Sequence, residues 1–166
     1  ETLRALNYLI DSGKVRYIGC SNFTSWQLAM SLESSKSNNL EKFITVQPEY
    51  SLLNRDIEAE LIPACEYYNI GILPYFPLAS GALTGKYKRG EDLPEGTRLG
   101  ENKERAGQIL TSDTFSLLES LEIFAKARNK SLLDLAFAWL LANPLVSSVI
   151  AGATKPEQVV RETEFF

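Results

Sequence analysis

The sequence predicts an α/β fold assembled from parallel strand–helix units, and three features predict it. Four short runs rich in β-branched, aliphatic or aromatic residues, "VRYIGC", "KFITVQPEY", "GILPYF" and "VSSVIAG", are separated by stretches with helical spacing. The runs are nearly continuously apolar instead of alternating. That suits strands covered by helices on one side and by a barrel interior or second helix layer on the other. Small and polar residues gather just after each run: Ser21 and Asn22, Gln47, the "PLASG" loop, and "GATKPEQ". In parallel α/β proteins the carboxyl edge of the sheet is where sites form, although Ser, Asn, Gly and Pro are also what such turns need.

The elements follow in order. "ETLRALNYLIDSGK" carries Leu3, Leu6 and Ile10 at helical spacing from its second residue, with no convincing N-cap before it. A first strand near 15–20 leads to the helix "SWQLAMSLESSK", and a second near 43–48 leads to the helical pattern "DIEAELIPACEYYN". A third strand near 71–76 breaks at Pro77 into small residues followed by a lysine. The polar stretch from Lys88 to Gln108 reads as one long loop, and a loop of that length is functional or disordered. Two helices follow, "DTFSLLESLEIFAKARN" and "SLLDLAFAWLLAN", the second with capping-box-like spacing between Ser131 and Asp134. A fourth strand near 146–151 precedes a helix that Pro156 can lead. The four strands are expected to be adjacent in that order, with helices packed on one face. "PEQVVRETEFF" stops inside a helical pattern without a glycine or capping turn, so both ends read as cut.

Composition narrows the chemistry. The 166 residues suffice for one domain with a real core, and a net charge of −4 supplies no basic field for nucleic acid. There is no histidine, which excludes His-based triads, imidazole metal sites and His general acids within this chain. Cys20 and Cys65 lack the spacing of a zinc or CxxC centre and read as buried thiols in a reducing compartment. No apolar run approaches a membrane span and no signal peptide opens the chain. The expectation is a soluble, cytoplasmic protein without nucleic-acid or membrane partners. Trp26 and Trp139 fall in helical patterns and read as packing residues.

The strings "GKVRYIGCSNF", "VQPEYSLLNR", "PLASGALTGKY" and "VIAGATKPEQ", in this order and spacing, resemble the aldo-keto reductase family. The similarity is greatest to the branch of bacterial aldo-keto reductases and potassium-channel β subunits. It implies a (β/α)8 TIM-barrel type of fold, of which only the C-terminal half is present. Residues 1–166 would form a single partial domain carrying strands five to eight with their helices. It also implies hydride transfer between NADPH and a small-molecule carbonyl substrate. The family's catalytic Asp, Tyr, Lys and His lie on the earlier strands, so no catalytic residue and no metal ligand is expected here. Alternatives of another class are a non-catalytic nucleotide-binding or channel-regulatory subunit, or an inactive gene fragment. The fragment is expected to need its missing half or to self-associate, and to reduce no aldehyde by itself.

The resemblance also implies site residues. Tyr75 corresponds to the aromatic that stacks on the nicotinamide, a flat face supporting a flat ring. Ser21, Asn22 and Gln47 correspond to the residues that hydrogen-bond its carboxamide. Pro77, Leu78, Ala79, Ser80 and Gly81 resemble the pyrophosphate loop, where small residues let backbone N–H groups approach phosphate. Lys86 and Arg98 match positions that neutralise the phosphates. Gly152, Thr154, Lys155 and Gln158 resemble the adenosine end, with Lys155 favouring NADPH over NADH. Two departures stand out. Phe76 replaces the branch's usual serine, and Arg161 and Glu162 replace its usual Glu-Asn pair beside the adenine.

Overall fold

The computed structural model describes residues 1–163; residues 164–166 and the side chain of Glu162 lie outside the described residues. Helix α1 (Thr2–Asp11) leads to strand β1 (Ile18–Ser21), helix α2 (Ser25–Ser37), strand β2 (Phe43–Gln47), helix α3 (Leu61–Tyr68) and strand β3 (Gly71–Ile72). A 3-10 turn over Ala79–Thr84 follows, then helices α4 (Lys103–Ile109), α5 (Ser112–Lys126), α6 (Leu132–Leu141) and α7 (Pro156–Thr163). The three strands are parallel and lie in the order β1-β2-β3. Gly19 pairs with Thr45, Cys20 with Val46 and Ser21 with Gln47, while Thr45 and Val46 pair on their other side with Gly71 and Ile72.

The fourth expected strand is reduced to a parallel bridge between Ile72 and Val146. The amide of Ile72 donates to Leu145 O, that of Ser147 to Ile72 O, and that of Ile150 to Pro74 O. The 146–151 segment therefore lies beside β3 in the anticipated order and direction, without a continuous ladder. Pro74 explains part of this, because it has no amide to offer a neighbour.

Two further expectations are corrected. The pattern "DIEAELIPACEYYN" is divided into a 3-10 turn over Asp56–Glu58 and α3. Pro63 forces the break: with the helix starting at Leu61 it occupies the first turn, where its missing N–H is not needed. The Lys88–Gln108 stretch is not all loop, since α4 begins at Lys103 with Asn102 Oδ1 accepting from Arg105 N at 2.9 Å. Around it Tyr87, Leu99 and Ala106 are buried together, and Leu99 N donates to Tyr87 Oη.

The main core lies between the sheet and the α2 and α3 helices, where Leu28, Leu32, Leu61 and Cys65 meet Ile18, Phe43, Val46 and Ile72. Leu28 and Leu32 are one helical turn apart and so share a face. A capping box between Thr24 and Gln27 starts α2, and the anticipated one between Ser131 and Asp134 starts α6. Leu3, Leu6 and Ile10 of α1 pack on the rim of this core. Ile44, passed over where the β1–β2 register shifts, is 36% exposed. Trp139 packs on Tyr50 with ring centres 4.9 Å apart, whereas Trp26, expected to pack, is 61% exposed on α2. Burial pushes both thiols up to about 11; Cys65 is fully enclosed, and Cys20 is only partly buried. Among the described residues no helix is long and apolar enough to cross a membrane.

The β1–β2 contact is close enough to test. A Cβ on Gly19 would stand 2.3 Å from Thr45 Oγ1 and 3.1 Å from the Thr45 carbonyl oxygen, which cannot rotate away. One on Gly71 would meet Ser147 Oγ at 2.3 Å, and that hydroxyl can turn aside. Gly19→Ala is expected to destabilise the protein by about 1–3 kcal/mol and Gly71→Ala by less. Urea unfolding midpoints of the two variants check the order.

Candidate functional site

The carboxyl ends of the strands bring the first group of expected site residues together. Ser21 Oγ and the Asn22 amide both donate to the carbonyl of Gln47, at 3.1 and 3.0 Å. Asn22 has a φ of 56°, in the left-handed region that asparagine tolerates better than most residues. Its Oδ1 accepts from Tyr75 Oη at 2.8 Å, joining the ends of β1 and the 73–76 segment across β2. Ser21 thus serves the turn between β1 and α2, and the Gln47 side chain makes no hydrogen bond among the described residues. Tyr75 sits 5.2 Å from Phe76, ring centre to ring centre and nearly edge-on.

Beyond Tyr75 the backbone leaves the sheet through a run of positive φ values: Phe76 at 51°, Ala79 at 46°, Ser80 at 57° and Gly81 at 94°. The amides of Ala79 and Gly81 donate within the loop, to Phe76 O and Leu78 O. Ser80 is buried and its Oγ accepts from Arg105 Nε at 3.1 Å. Gly81 is favoured by its φ of 94°, and a Cβ there would lie 2.8 Å from Lys86 Nζ, the mobile end of a side chain that would have to shift. The Lys86 ammonium therefore lies against the loop backbone. Arg98 is presented by a local turn in which Thr97 Oγ1 donates to Pro94 O and accepts from Gly100 N.

A cleft of about 390 Å³ runs from this loop to the start of α7. Phe76, Pro77, Leu78, Ser80, Gly81, Lys86 and Arg98 line one end, and Gly152, Thr154, Gln158 and Arg161 line the other. Ala79 and Lys155 are absent from its lining, as are Ser21, Asn22, Gln47 and Tyr75, which form the neighbouring sheet edge. Glu162, expected beside the adenine, has its side chain outside the described residues. The positive lining of Lys86, Arg98 and Arg161, set against Glu157, suits an anionic guest.

At the α7 end the chain bonds to itself. The helix begins at Pro156, and Gln158 folds back over its start. Gln158 Oε1 accepts from Thr154 N at 2.7 Å, Lys155 N at 3.1 Å and Thr154 Oγ1 at 3.2 Å. The Thr154 and Lys155 donors are thus held by the chain's own amide oxygen. Arg161 Nη2 pairs with Asp134 Oδ1 at 2.5 Å. Burial works to raise the Asp134 carboxyl, but bonds from the Ser131 amide and hydroxyl and the charges of Arg161 and Lys130 outweigh it and hold it below the usual range.

Sequence reasoning missed Arg105, whose setting "NKERAG" resembles any solvated charged stretch, and the lining residues Thr84, Thr97, Leu133, Ile150 and Glu157. Thr84, Ile150 and Glu157 lie within strings already singled out, and Thr97 adjoins Arg98, whereas Leu133 carried no positional signal.

Comparison with known proteins places this geometry. The model of the aldo/keto reductase family matches residues 1–166. A rice (Oryza sativa subsp. japonica) protein named "Probable voltage-gated potassium channel subunit beta" is 40% identical over 163 residues, covering 96% of this chain and 49% of its own length. The L-glyceraldehyde 3-phosphate reductase of Escherichia coli (strain K12) is 33% identical over 164 residues, covering 96% and 46%. In three dimensions the glycerol dehydrogenase of Gluconobacter oxydans matches with a TM-score of 0.81 at 30% identity, over 100% of this chain and 48% of that one. The chain spans about half the length of the curated relatives it matches, and its three-stranded parallel sheet is consistent with part of a barrel. This chain belongs to the aldo/keto reductase family.

Proposed function

We propose that residues 1–166 form one partial domain, the NADPH-binding half of an aldo-keto reductase that reduces aldehydes or ketones to alcohols. In this reading they supply strands five to eight of a (β/α)8 barrel in a cytoplasmic enzyme. The observation that carries it is the single cleft joining the Gly81 loop, Lys86 and Arg98 to Thr154 at the start of α7.

The residues fit the cofactor group by group. Lys86 supplies a point charge against the loop and Arg98 a planar fork, the two chemistries suited to a diphosphate. Gly81 leaves no Cβ between Lys86 and the backbone, so a phosphate can approach closely. Tyr75 offers its ring face and keeps its hydroxyl on Asn22; Asn22 Nδ2 and the Gln47 amide remain to orient a carboxamide. Thr154 and Lys155 would receive a 2′-phosphate on donors now turned to Gln158. When bound, NADPH supplies the hydride. The chain's own residues bind and orient it, and none of them is assigned proton transfer.

A second reading is favoured by the similarity to proteins named as potassium-channel β subunits. There the same cleft would serve a nucleotide-binding regulatory subunit. Turnover of an aldehyde by the full-length protein separates the two.

Removing the guanidinium in Arg98→Ala is expected to weaken NADPH binding by the full-length protein about tenfold or more, since bonds to charged groups are worth roughly 1.5–3 kcal/mol. Calorimetry at two salt concentrations checks this, with a shallower salt dependence expected for the variant. Unchanged affinity removes Arg98 from the site.

The isolated 166-residue chain is expected to oxidise no NADPH with a reactive aromatic aldehyde above background. It is also expected to pair with a second copy or aggregate. Among the described residues β1 has a strand neighbour on one side only, and Tyr17, Ile44 and Ile150 are exposed. Each exposed aliphatic side chain forgoes roughly 1.5–3 kcal/mol of burial, against a whole-domain stability of about 5–15 kcal/mol. Sedimentation analysis decides: a well-folded monomer that binds NADPH tightly would overturn this expectation.

A further inference from the structure

Phe76 stands where the sequence registers the loss of a hydroxyl, yet it is the residue on which the surrounding charges converge. Its ring lines both the 390 Å³ cleft and a neighbouring cleft of about 310 Å³. Arg98, which lines the first, has its guanidinium carbon 5.7 Å from the ring centre. Arg105, which lines the second, lies 4.7 Å from the same centre. Arg105 is fixed at two more points: its Nε donates to the buried Ser80 Oγ, and its amide to Asn102 Oδ1 at the start of α4. Phe76 itself has a φ of 51°, a conformation that a bulky side chain keeps only where its surroundings over-determine it.

We propose that Phe76 is the positioning residue for the phosphate-facing arginine. Its ring is a post between two guanidinium groups, holding the segment around Arg98 and Arg105 against the phosphate loop so that Arg98 meets the diphosphate already oriented. This rests on the cofactor reading above. The negative face of an aromatic ring attracts a cation without neutralising it. A carboxylate in the same place would compete with the phosphate for Arg98, and a serine would leave the long side chain to be ordered by the ligand itself. Holding the fork in place beforehand removes an ordering cost from the binding step. Lys88 and Arg89 anchor the same segment from below, through Glu122 and Glu119 of α5, so the ring completes a hold that already exists.

The test uses the full-length protein with two probes, NADPH and adenosine 2′-monophosphate; the second carries the adenosine end with no phosphate of the diphosphate bridge. Phe76→Leu keeps an apolar side chain and removes the π-face. It is expected to weaken NADPH about two- to fivefold, the size of a cation–π contact at an exposed arginine, and to leave adenosine 2′-monophosphate unchanged. Phe76→Tyr is expected to bind both as the parent does. Arg105→Gln, which takes the second guanidinium from the ring and its bond from the Ser80 hydroxyl, is expected to weaken NADPH about threefold with the same selectivity, with a thermal melt checking that the variant is folded. Equal loss of both probes in Phe76→Leu, or wild-type NADPH affinity in both Phe76→Leu and Arg105→Gln, overturns the proposal. Failure of the unmodified protein to bind NADPH at all would instead overturn the cofactor reading.

Discussion

The arrangement of this edge depends on where β3 stops pairing. Pro74 is fully buried and offers no amide, so the regular ladder ends beside it. The chain is nevertheless gripped on both sides. Tyr75 donates to Pro48 O and accepts from Tyr50 N, while Pro74 O accepts from Ile150 N. Those three bonds fix the point from which the backbone can turn, and the turn itself is the positive φ of Phe76. Successive side chains then part company: the Tyr75 hydroxyl reaches Asn22, and the Phe76 ring becomes a wall of the clefts. Freed earlier, the chain would carry its loop away from Ser21 and Gln47. Paired further, it would leave no room for the left-handed residues.

Charge is distributed along the following segment in a way that separates anchoring from binding. Lys88 and Arg89 are committed to Glu122 and Glu119, and Arg89 also bonds Ser112 and Ser116. Lys86 and Arg98 have no ion pair among the described residues. Bonds from Lys126 and Lys88 hold the Glu122 carboxyl below its usual range, and a bond from Arg89 does the same for Glu119. A depressed carboxyl stabilises the fold above its unfolded value and loses that contribution as pH falls through the folded one. The anchor is therefore intact at neutral pH and weakens only in acid. Exposed pairs of this kind are individually weak. Their use here is to keep the segment in place while leaving the cleft-facing cations uncommitted.

Much of this was legible in the sequence because it depends on local rules. The parallel order, the Ser131–Asp134 capping box and the helix led by Pro156 all follow from residue type and spacing, whereas the third strand, expected over 71–76 up to Pro77, is regular only over Gly71–Ile72. What was hidden depends on contacts between distant segments or on a single interrupting residue. Pro63 divides a pattern that otherwise has good helical periodicity. The α4 helix is short and polar, so no apolar stripe announces it, and its stability comes from Asn102 and from Ala106 packing beside Tyr87 and Leu99. The fourth strand has the right composition, yet its neighbour's proline leaves one bridge and scattered bonds. Arg105 acquires significance only through Ser80 and Phe76, twenty-five and more residues away.

Gln158 satisfies the donors at the start of α7 from within the chain. Four amides at a helix N-terminus lack partners within the helix, and a site built on them must be satisfied when empty or be costly to maintain. Here the Gln158 side chain holds two amides and the Thr154 hydroxyl with one neutral oxygen. Hydrogen bonds to a charged acceptor are roughly twice as strong as neutral ones, so in the cofactor reading proposed above a phosphate group would displace the amide oxygen from these donors. The displaced side chain lies on exposed helix surface, where water replaces what it gives up. A glutamate at this position would bind the same donors more strongly and, in the proposed reading, repel the phosphate. The neutral amide is the acceptor strong enough to order the turn and weak enough to yield it.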